Sequence, residues 1–339
     1  MFLKIKEMNG TSRKQLTIII PVYNHKDNIK KNLDNTIPLI IDYRDSVNIY
    51  VSDNASTDGT GNLVKEYVKM YPDLITYFCQ PYNITASPNF IHAVQSVSSE
   101  YVLILGDDDL IHPNLIPTFL YLIKKYPSVG LFHFDFIFEG KKEKEILSTD
   151  EIVHFISNYE TGKEFIMSFL EKPSFVSSNL FKRELWNNAV QNVKEDCLGY
   201  VWLSVLYYGI LNARCIYVNM PFVTAGVPIK KGYAKNWPLY YIYGFGQLFK
   251  HLDEEVPGLY EKWIYKSQKI NFRRLFVTLT ETSYYPQVYS EKRELIERHL
   301  SYCFYSAYFH LCINRFFSNI IKYTIGMLIL LFRTLHRLK

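Results

Sequence analysis

Three consecutive carboxylates, Asp107, Asp108 and Asp109, follow the mostly aliphatic run Tyr101 to Leu105. Such a run reads as a buried strand, and in an open α/β sheet ligands bind beyond the carboxyl ends of the strands. Carboxylate oxygens on a short turn suit a hard divalent cation, Mn2+ or Mg2+, that also holds a phosphate. The same acids, placed before Pro113 and the apolar run Leu115 to Leu122, would also serve as a helix cap. Two upstream clusters repeat the pattern. The apolar run from Leu16 ends in Pro21-Val22-Tyr23-Asn24, and the run Val47 to Val51 ends in Ser52-Asp53-Asn54-Ala55-Ser56-Thr57-Asp58-Gly59-Thr60. Small hydroxyl and amide side chains of this kind suit a turn that wraps a ligand with backbone and side-chain donors.

These clusters need a frame that brings strand ends together. The periodicity predicts a helix over about Asp27 to Ile41, another over about Gly61 to Met70, and a third strand over Leu74 to Cys79. Strand and helix alternate at short spacing, which predicts βαβ units, an α/β class and a mostly parallel sheet. The ends near Tyr23, Asp53 and Asp108 then line one edge of that sheet. Downstream, Gly130 to Phe138 alternates as a strand with His133 and Asp135 on one face. The charged run Glu139 to Glu145 reads as a solvated hairpin or insertion. From about Trp237 the pattern turns helical, over Tyr240 to Phe249, Tyr260 to Thr280 and Leu295 to Ile313.

PVYN, SDNASTDGT and the acidic cluster before Pro113 together resemble the inverting family 2 glycosyltransferases with the GT-A nucleotide-sugar-binding fold, over about residues 15 to 225. The resemblance implies a nucleoside-diphosphate-sugar donor, with a UDP-sugar expected. It places Pro21, Val22 and Tyr23 as the floor beneath the base, Asp53 on a uracil-type base, Asp107 on the ribose and Asp108 on the metal, with Asp109 expected as a second metal residue. Asn89 falls at the donor in Ser87-Pro88-Asn89, where many members carry Ala-Arg-Asn; without that arginine one charge partner for the donor is missing. Many members also carry an acid where Gly106 stands. Val176 to Arg183 resembles the strand whose small polar residues face the donor sugar. The pair Glu195-Asp196 stands where relatives keep the catalytic base, with Asp196 first in line; the competing reading is a surface pair. Lys230 and Lys231, in a segment with a proline and a glycine, read either as a basic cover for the diphosphate or as a linker. The domain division expected is 1–230, catalytic and nucleotide-sugar-binding, and 231–339, helical.

Composition fits an enzyme of this kind. Aromatic residues make up 16% of the 339, and ring faces stack on sugars, although most must be ordinary core. A net charge of +5 without a basic stripe argues against nucleic acid as a partner. Five widely spaced cysteines without a CxxC pair speak against a disulfide framework or zinc site and for a reducing cytoplasm, and the N-terminal apolar stretch is short for a secretory signal. The tail Phe316 to Lys339 holds an apolar run, Tyr323 to Phe332, too short for a bilayer crossing of roughly 20 residues. It suits a helix lying at the inner face of the cell membrane beside a lipid-linked or other glycan acceptor of surface polysaccharide synthesis. The competing reading packs it on its own domain or a dimer partner. Two other functions share such a fold: a nucleotidyltransferase, which calls for a Gly-rich phosphate loop after the first strand where Tyr23-Asn24-His25-Lys26 has no glycine, and a non-catalytic carbohydrate-binding or scaffold protein.

Overall fold

The computed structural model describes residues 14–140, 151–192, 197, 199–226 and 244–268, so Glu195, Asp196, Lys230, Lys231, most of the charged run after Glu139 and the tail from Phe316 lie outside the described residues. The chain divides into two compact units, with 14–140, 151–192 and 201–226 in the first, and Cys197, Gly199, Tyr200 and 244–268 in the second.

The first unit is built on a nine-stranded sheet flanked by helices. Its chain order is β1 (Leu16–Val22), α1 (Lys26–Ile40), β2 (Val47–Asp53), α2 (Thr60–Met70), β3 (Ile75–Cys79), α3 (Ala86–Ser96), β4 (Tyr101–Ile104), β5 (Leu110–Ile111), α4 (Leu115–Lys125), β6 (Val129–Phe138), β7 (Ile156–Tyr159), α5 (Gly162–Phe169), β8 (Asn179–Lys182), α6 (Arg183–Ala189), α7 (Val201–Ile210) and β9 (Arg214–Ala225). Across the sheet the order is β3-β2-β1-β4-β8-β6-β9-β5, with β7 on β9. Strands β1 to β4 pair in parallel, β8 runs against both β4 and β6, and β9 runs parallel to β6. Six of the nine strands therefore point one way, and the α/β, mostly parallel class is the one adopted.

Local sequence explains the central layer. Every residue of β1 and β4 is buried, as expected for strands covered on both faces; β1 ends against the polar Tyr23-Asn24, and β4 reaches its acids through Leu105 and Gly106. Register places Val22 opposite Asp53, and Ile19 opposite Ile104, so the three polar ends do share one edge. Helix α1 lays Ile29, Leu33, Ile37 and Ile40 on the sheet, but two polar residues, Asn32 and Thr36, are buried in the same stripe. The segment from Val176 makes a short helical turn before β8 begins at Asn179. Its polar side chains explain the late start: Asn179 Nδ2 donates back to the carbonyls of Pro173 and Phe175 at 2.8 and 2.9 Å, holding the backbone in a turn.

In the second unit, α8 (Phe245–Leu252) and α9 (Leu259–Gln268) agree with the helical reading of this region. Tyr200 stacks on Phe245 at 4.0 Å, and Phe249 meets Trp263 at 5.7 Å. No helix among the described residues is long and apolar enough to cross a membrane.

His133 and Asp135 share one face of β6, and Tyr217 of β9 touches both. Its ring stacks on His133 at 5.7 Å and its hydroxyl donates to Asp135 at 2.9 Å. His133 is also enclosed edge-on by Phe165 and Phe169, and burial pulls its pKa down to about 4. A neutral histidine in the fold that is protonated in the unfolded chain makes the unfolded state take up more protons between about pH 6.5 and 4. Stability should therefore fall with pH across that window, by on the order of 3 kcal/mol from this residue alone. His133→Gln should flatten that slope in urea titrations run from pH 7 to pH 4; an unchanged slope would contradict the assignment.

Candidate functional site

The acidic turn after β4 is held from three directions. From α1, Asn32 Nδ2 donates to the carbonyl oxygens of Gly106 at 3.0 Å and Asp109 at 2.8 Å, and Asn35 Oδ1 accepts from the Ile111 amide at 3.1 Å. From the turn before β8, Ser177 Oγ accepts from the Gly106 amide at 2.8 Å and donates to Asp109 Oδ2 at 2.5 Å. From the end of β9, the Gly226 amide donates to Asp109 Oδ1 at 3.0 Å. Both oxygens of Asp109 thus have protein donors, and desolvation pushes its pKa up to about 6 against the lowering effect of Ser177 and Gly226. Asp107 is raised by desolvation as well, opposed by His25, whose Nδ1–H donates to Asp107 Oδ2 at 2.9 Å. His25 is correspondingly raised, chiefly by that bond.

Asp108 is different. Among the described residues its carboxylate has no hydrogen-bond or ion-pair partner, and it is only partly buried. Two glycines make room for this arrangement. A Cβ on Gly106 would lie 2.6 Å from Asp109 Oδ2, so the position has no room for the acidic side chain that many members carry there while Asp109 keeps this place. A Cβ on Gly226 would lie 2.4 Å from the Asp108 carbonyl oxygen and 2.9 Å from its Cγ. No cluster of three or more ligating side chains occurs among the described residues. A single unengaged carboxylate is a donor set that fits a divalent ion only where most of the ligands come from water or a bound anion.

The neighbouring loops after β1 and β2 are fastened to each other. The Asn24 amide donates to Ser56 Oγ at 2.9 Å, and Asn24 Oδ1 accepts from the Thr57 amide at 2.7 Å. Asp58 accepts from the Lys26 amide at 3.0 Å and from the Thr60 amide and hydroxyl, so one carboxylate caps α1 and α2 together. Desolvation would raise Asp58, but the Thr60 and Lys26 donors outweigh it and its pKa is lowered. Among the described residues, positive φ at non-glycine positions occurs at Asn24 and Ala55 in these two loops, and at Thr85 just ahead of α3. Backbone held in that region is a mark of functional loops.

The residues predicted for the donor take distinct places here. Pro21 and Val22 are buried at the end of β1, and the Tyr23 ring is 43% exposed. Asp53 is fully buried; its Oδ1 accepts from the Ser56 amide at 2.8 Å and its Oδ2 from the Tyr77 hydroxyl at 2.7 Å. Asn89 is turned inward: its Oδ1 accepts from Ser52 Oγ and Gln80, and its Nδ2 donates to the Ser52 carbonyl at 3.1 Å. Ser177, in the segment expected to face the donor sugar, turns instead to Gly106 and Asp109. The roles of Asn32, His25 and Gly226 were not legible in the sequence, although Asn32 left a signal as a polar residue on an apolar helical stripe.

Replacing Asn32 by leucine should leave the Asp109 carbonyl without its donor, the Gly106 carbonyl keeping the Asp109 amide, and lower the unfolding free energy by about 1 to 3 kcal/mol. Denaturant unfolding checks this, and a change below about 1 kcal/mol would show that the bridge is not needed. Gly226→Ala should instead keep the fold, by circular dichroism, but lower the melting temperature, because the added Cβ would meet the Asp108 carbonyl oxygen at 2.4 Å; an unchanged melting temperature would show that the contact relaxes freely.

Comparison with known proteins agrees with this geometry. Residues 17–202 match the sequence model of glycosyl transferase family 2. The glycosyltransferase GlyA of Streptococcus pneumoniae is 26% identical over 223 residues, 60% of this chain and 29% of GlyA. The abequosyltransferase RfbV of Salmonella typhimurium is 26% identical over 184 residues, 51% of this chain and 54% of RfbV. The chain thus spans under a third of one of these curated relatives and about half of the other. Among solved structures, S. aureus TarS 1-349 in complex with UDP-GlcNAc superposes with a TM-score of 0.53 at 15% identity, covering 84% of this chain and 81% of that one. The mannosyltransferase PcManGT from Pyrobaculum calidifontis, in complex with GDP-Man and Mn2+, gives 0.51 at 17% identity over 91% and 87%. At those identities the structures speak for the fold alone. The family match covers more than half of the 339 residues, including the ends of β1, β2 and β4, and the chain belongs to glycosyl transferase family 2.

Proposed function

We propose that this protein is a metal-dependent inverting glycosyltransferase that moves a sugar from a nucleoside-diphosphate sugar, a UDP-sugar in the first instance, to a glycan or lipid-linked oligosaccharide acceptor in surface polysaccharide synthesis. The observation that carries the reading is the braced acidic turn, which leaves Asp108 as its one unengaged carboxylate among the described residues. In this reading 1–230 is the catalytic domain. Pro21, Val22 and Tyr23 form the floor under the base and Asp53 meets its edge, exchanging the Tyr77 hydroxyl for a base N–H. Asn89 acts from behind by fixing Ser52. Asp107 accepts from the ribose, and Lys230 and Lys231 supply charge to the diphosphate. Asp108 would hold Mn2+ or Mg2+, with Asp109 as the brace of the turn and not a ligand. The ion, when bound, neutralises charge that builds on the leaving diphosphate.

Inversion requires one in-line displacement. The acceptor hydroxyl attacks the anomeric carbon from the face opposite the diphosphate, the bond to the diphosphate oxygen breaks, and a base takes the hydroxyl proton. We assign that base to Asp196, with Glu195 next. A lipid-linked acceptor would place the enzyme on the inner face of the cell membrane, with 316–339 as its contact.

Two substitutions separate binding from chemistry. Asp108→Asn should remove the Mn2+-dependent tightening of UDP binding in calorimetry while leaving the melting curve intact; unchanged Mn2+-dependent affinity would move the ligand elsewhere. Asp196→Asn should keep donor affinity and lose turnover by on the order of 100-fold or more. Near-normal turnover would transfer the role to Glu195.

A further inference from the structure

His25 occupies the position that begins α1, where serine, threonine, aspartate or asparagine would serve the helix better. Its side chain makes no cap, and the first helical amide, that of Lys26, is taken instead by Asp58. The imidazole turns across to the next strand end and donates from Nδ1 to Asp107 Oδ2 at 2.9 Å. The two side chains are 42% and 12% exposed, so the pair sits at the surface of the strand-end edge, one partner nearly enclosed. An ion pair with one partner so exposed adds little to stability, typically under about 1 kcal/mol. Neither helix capping nor fold stability therefore accounts for a histidine at this place.

We propose that His25 is a positioning residue for the donor ribose: by holding Oδ2 of Asp107 it fixes the carboxylate plane and presents Oδ1 as the acceptor for a ribose hydroxyl. The assignment rests on the functional reading above, in which Asp107 meets the ribose. A carboxylate held by one charged hydrogen bond loses rotation about its Cβ–Cγ bond before the ligand arrives, and that ordering no longer opposes binding. The loop after β1 and the turn after β4 are thereby tied at the point where the sugar of the nucleoside has to sit between them. Asp53, Asn89 and Asp109, buried polar groups at the same edge, already have protein partners for their oxygens, whereas Asp107 is held at Oδ2 by His25.

The test measures binding of UDP, 2′-deoxy-UDP and 3′-deoxy-UDP with Mn2+ to the full chain and to His25→Ala and His25→Asn, by calorimetry. The asparagine amide reproduces the Nδ1 donor without the ring. Wild type should bind UDP on the order of 10-fold more tightly than at least one deoxy analogue, as expected for one lost hydrogen bond to a charged group. His25→Ala should bind UDP about 10-fold more weakly and discriminate by less than 2-fold, and His25→Asn should restore most of the discrimination. A merely structural role would weaken all three nucleotides equally. Wild-type discrimination that survives intact in a folded His25→Ala protein overturns the proposal alone. A wild-type chain that binds neither UDP nor GDP overturns the functional reading and this proposal with it.

Discussion

The carboxamide of Asn32 carries the organisation of the site. Buried between α1 and the turn after β4, it bridges two carbonyls of that turn: that of Gly106, which also accepts from the Asp109 amide at 3.1 Å, and that of Asp109, for which Asn32 supplies the donor. A buried carbonyl without a donor costs about 1 to 3 kcal/mol, so the turn and the helix are fixed relative to each other. Ser177 and Gly226 then close the turn from the other sides by taking both oxygens of Asp109. The consequence is a division of labour among three adjacent acids. Asp109 is tied down, Asp107 is held at one oxygen, and Asp108 is left without a protein partner among the described residues.

The same logic extends to the nucleotide half of the edge. Asn24, Ser56, Thr57 and Asp58 lace the loops after β1 and β2 together, and the positive φ of Asn24 and Ala55 shows backbone held where it would not rest alone. Buried polar groups in a low-dielectric layer hold geometry firmly when all are satisfied. Pre-organisation of this kind suits an enzyme whose main tasks are to orient a charged donor and stabilise developing charge, with little covalent chemistry of its own.

Much of the architecture was legible because the apolar runs are long and the polar ends abrupt. The strands at Leu16, Val47 and Tyr101, the helix from Lys26 and the shared edge all follow from periodicity, and the motif pattern named the family. The sequence also pointed to His133 and Asp135 on one face. What it did not show is which polar atoms are consumed by the fold. Asp53, Asn89 and Asp109 read as ligand contacts by type and position, yet Tyr77, Ser52 and Ser177 lie 24, 37 and 68 residues from them and occupy their oxygens. Pairings at such separations leave no periodic trace. Gly226 is legible only once the register of β5 on β9 brings it against Asp108. Glu195, Asp196, Lys230 and Lys231 remain assignments from sequence.

The central claim is that the fold reserves Asp108 for the metal by engaging Asp109. A crystal structure of the full chain with UDP and Mn2+, with the ion located by anomalous scattering, tests it directly. The account predicts an Mn2+–oxygen distance of roughly 2.2 Å from an Asp108 carboxylate oxygen, as for other small hard cations. The diphosphate should complete the coordination while Asp109 stays on Ser177 and Gly226. An ion held by Asp109, with Ser177 displaced and Asp108 outside coordination distance, would contradict it.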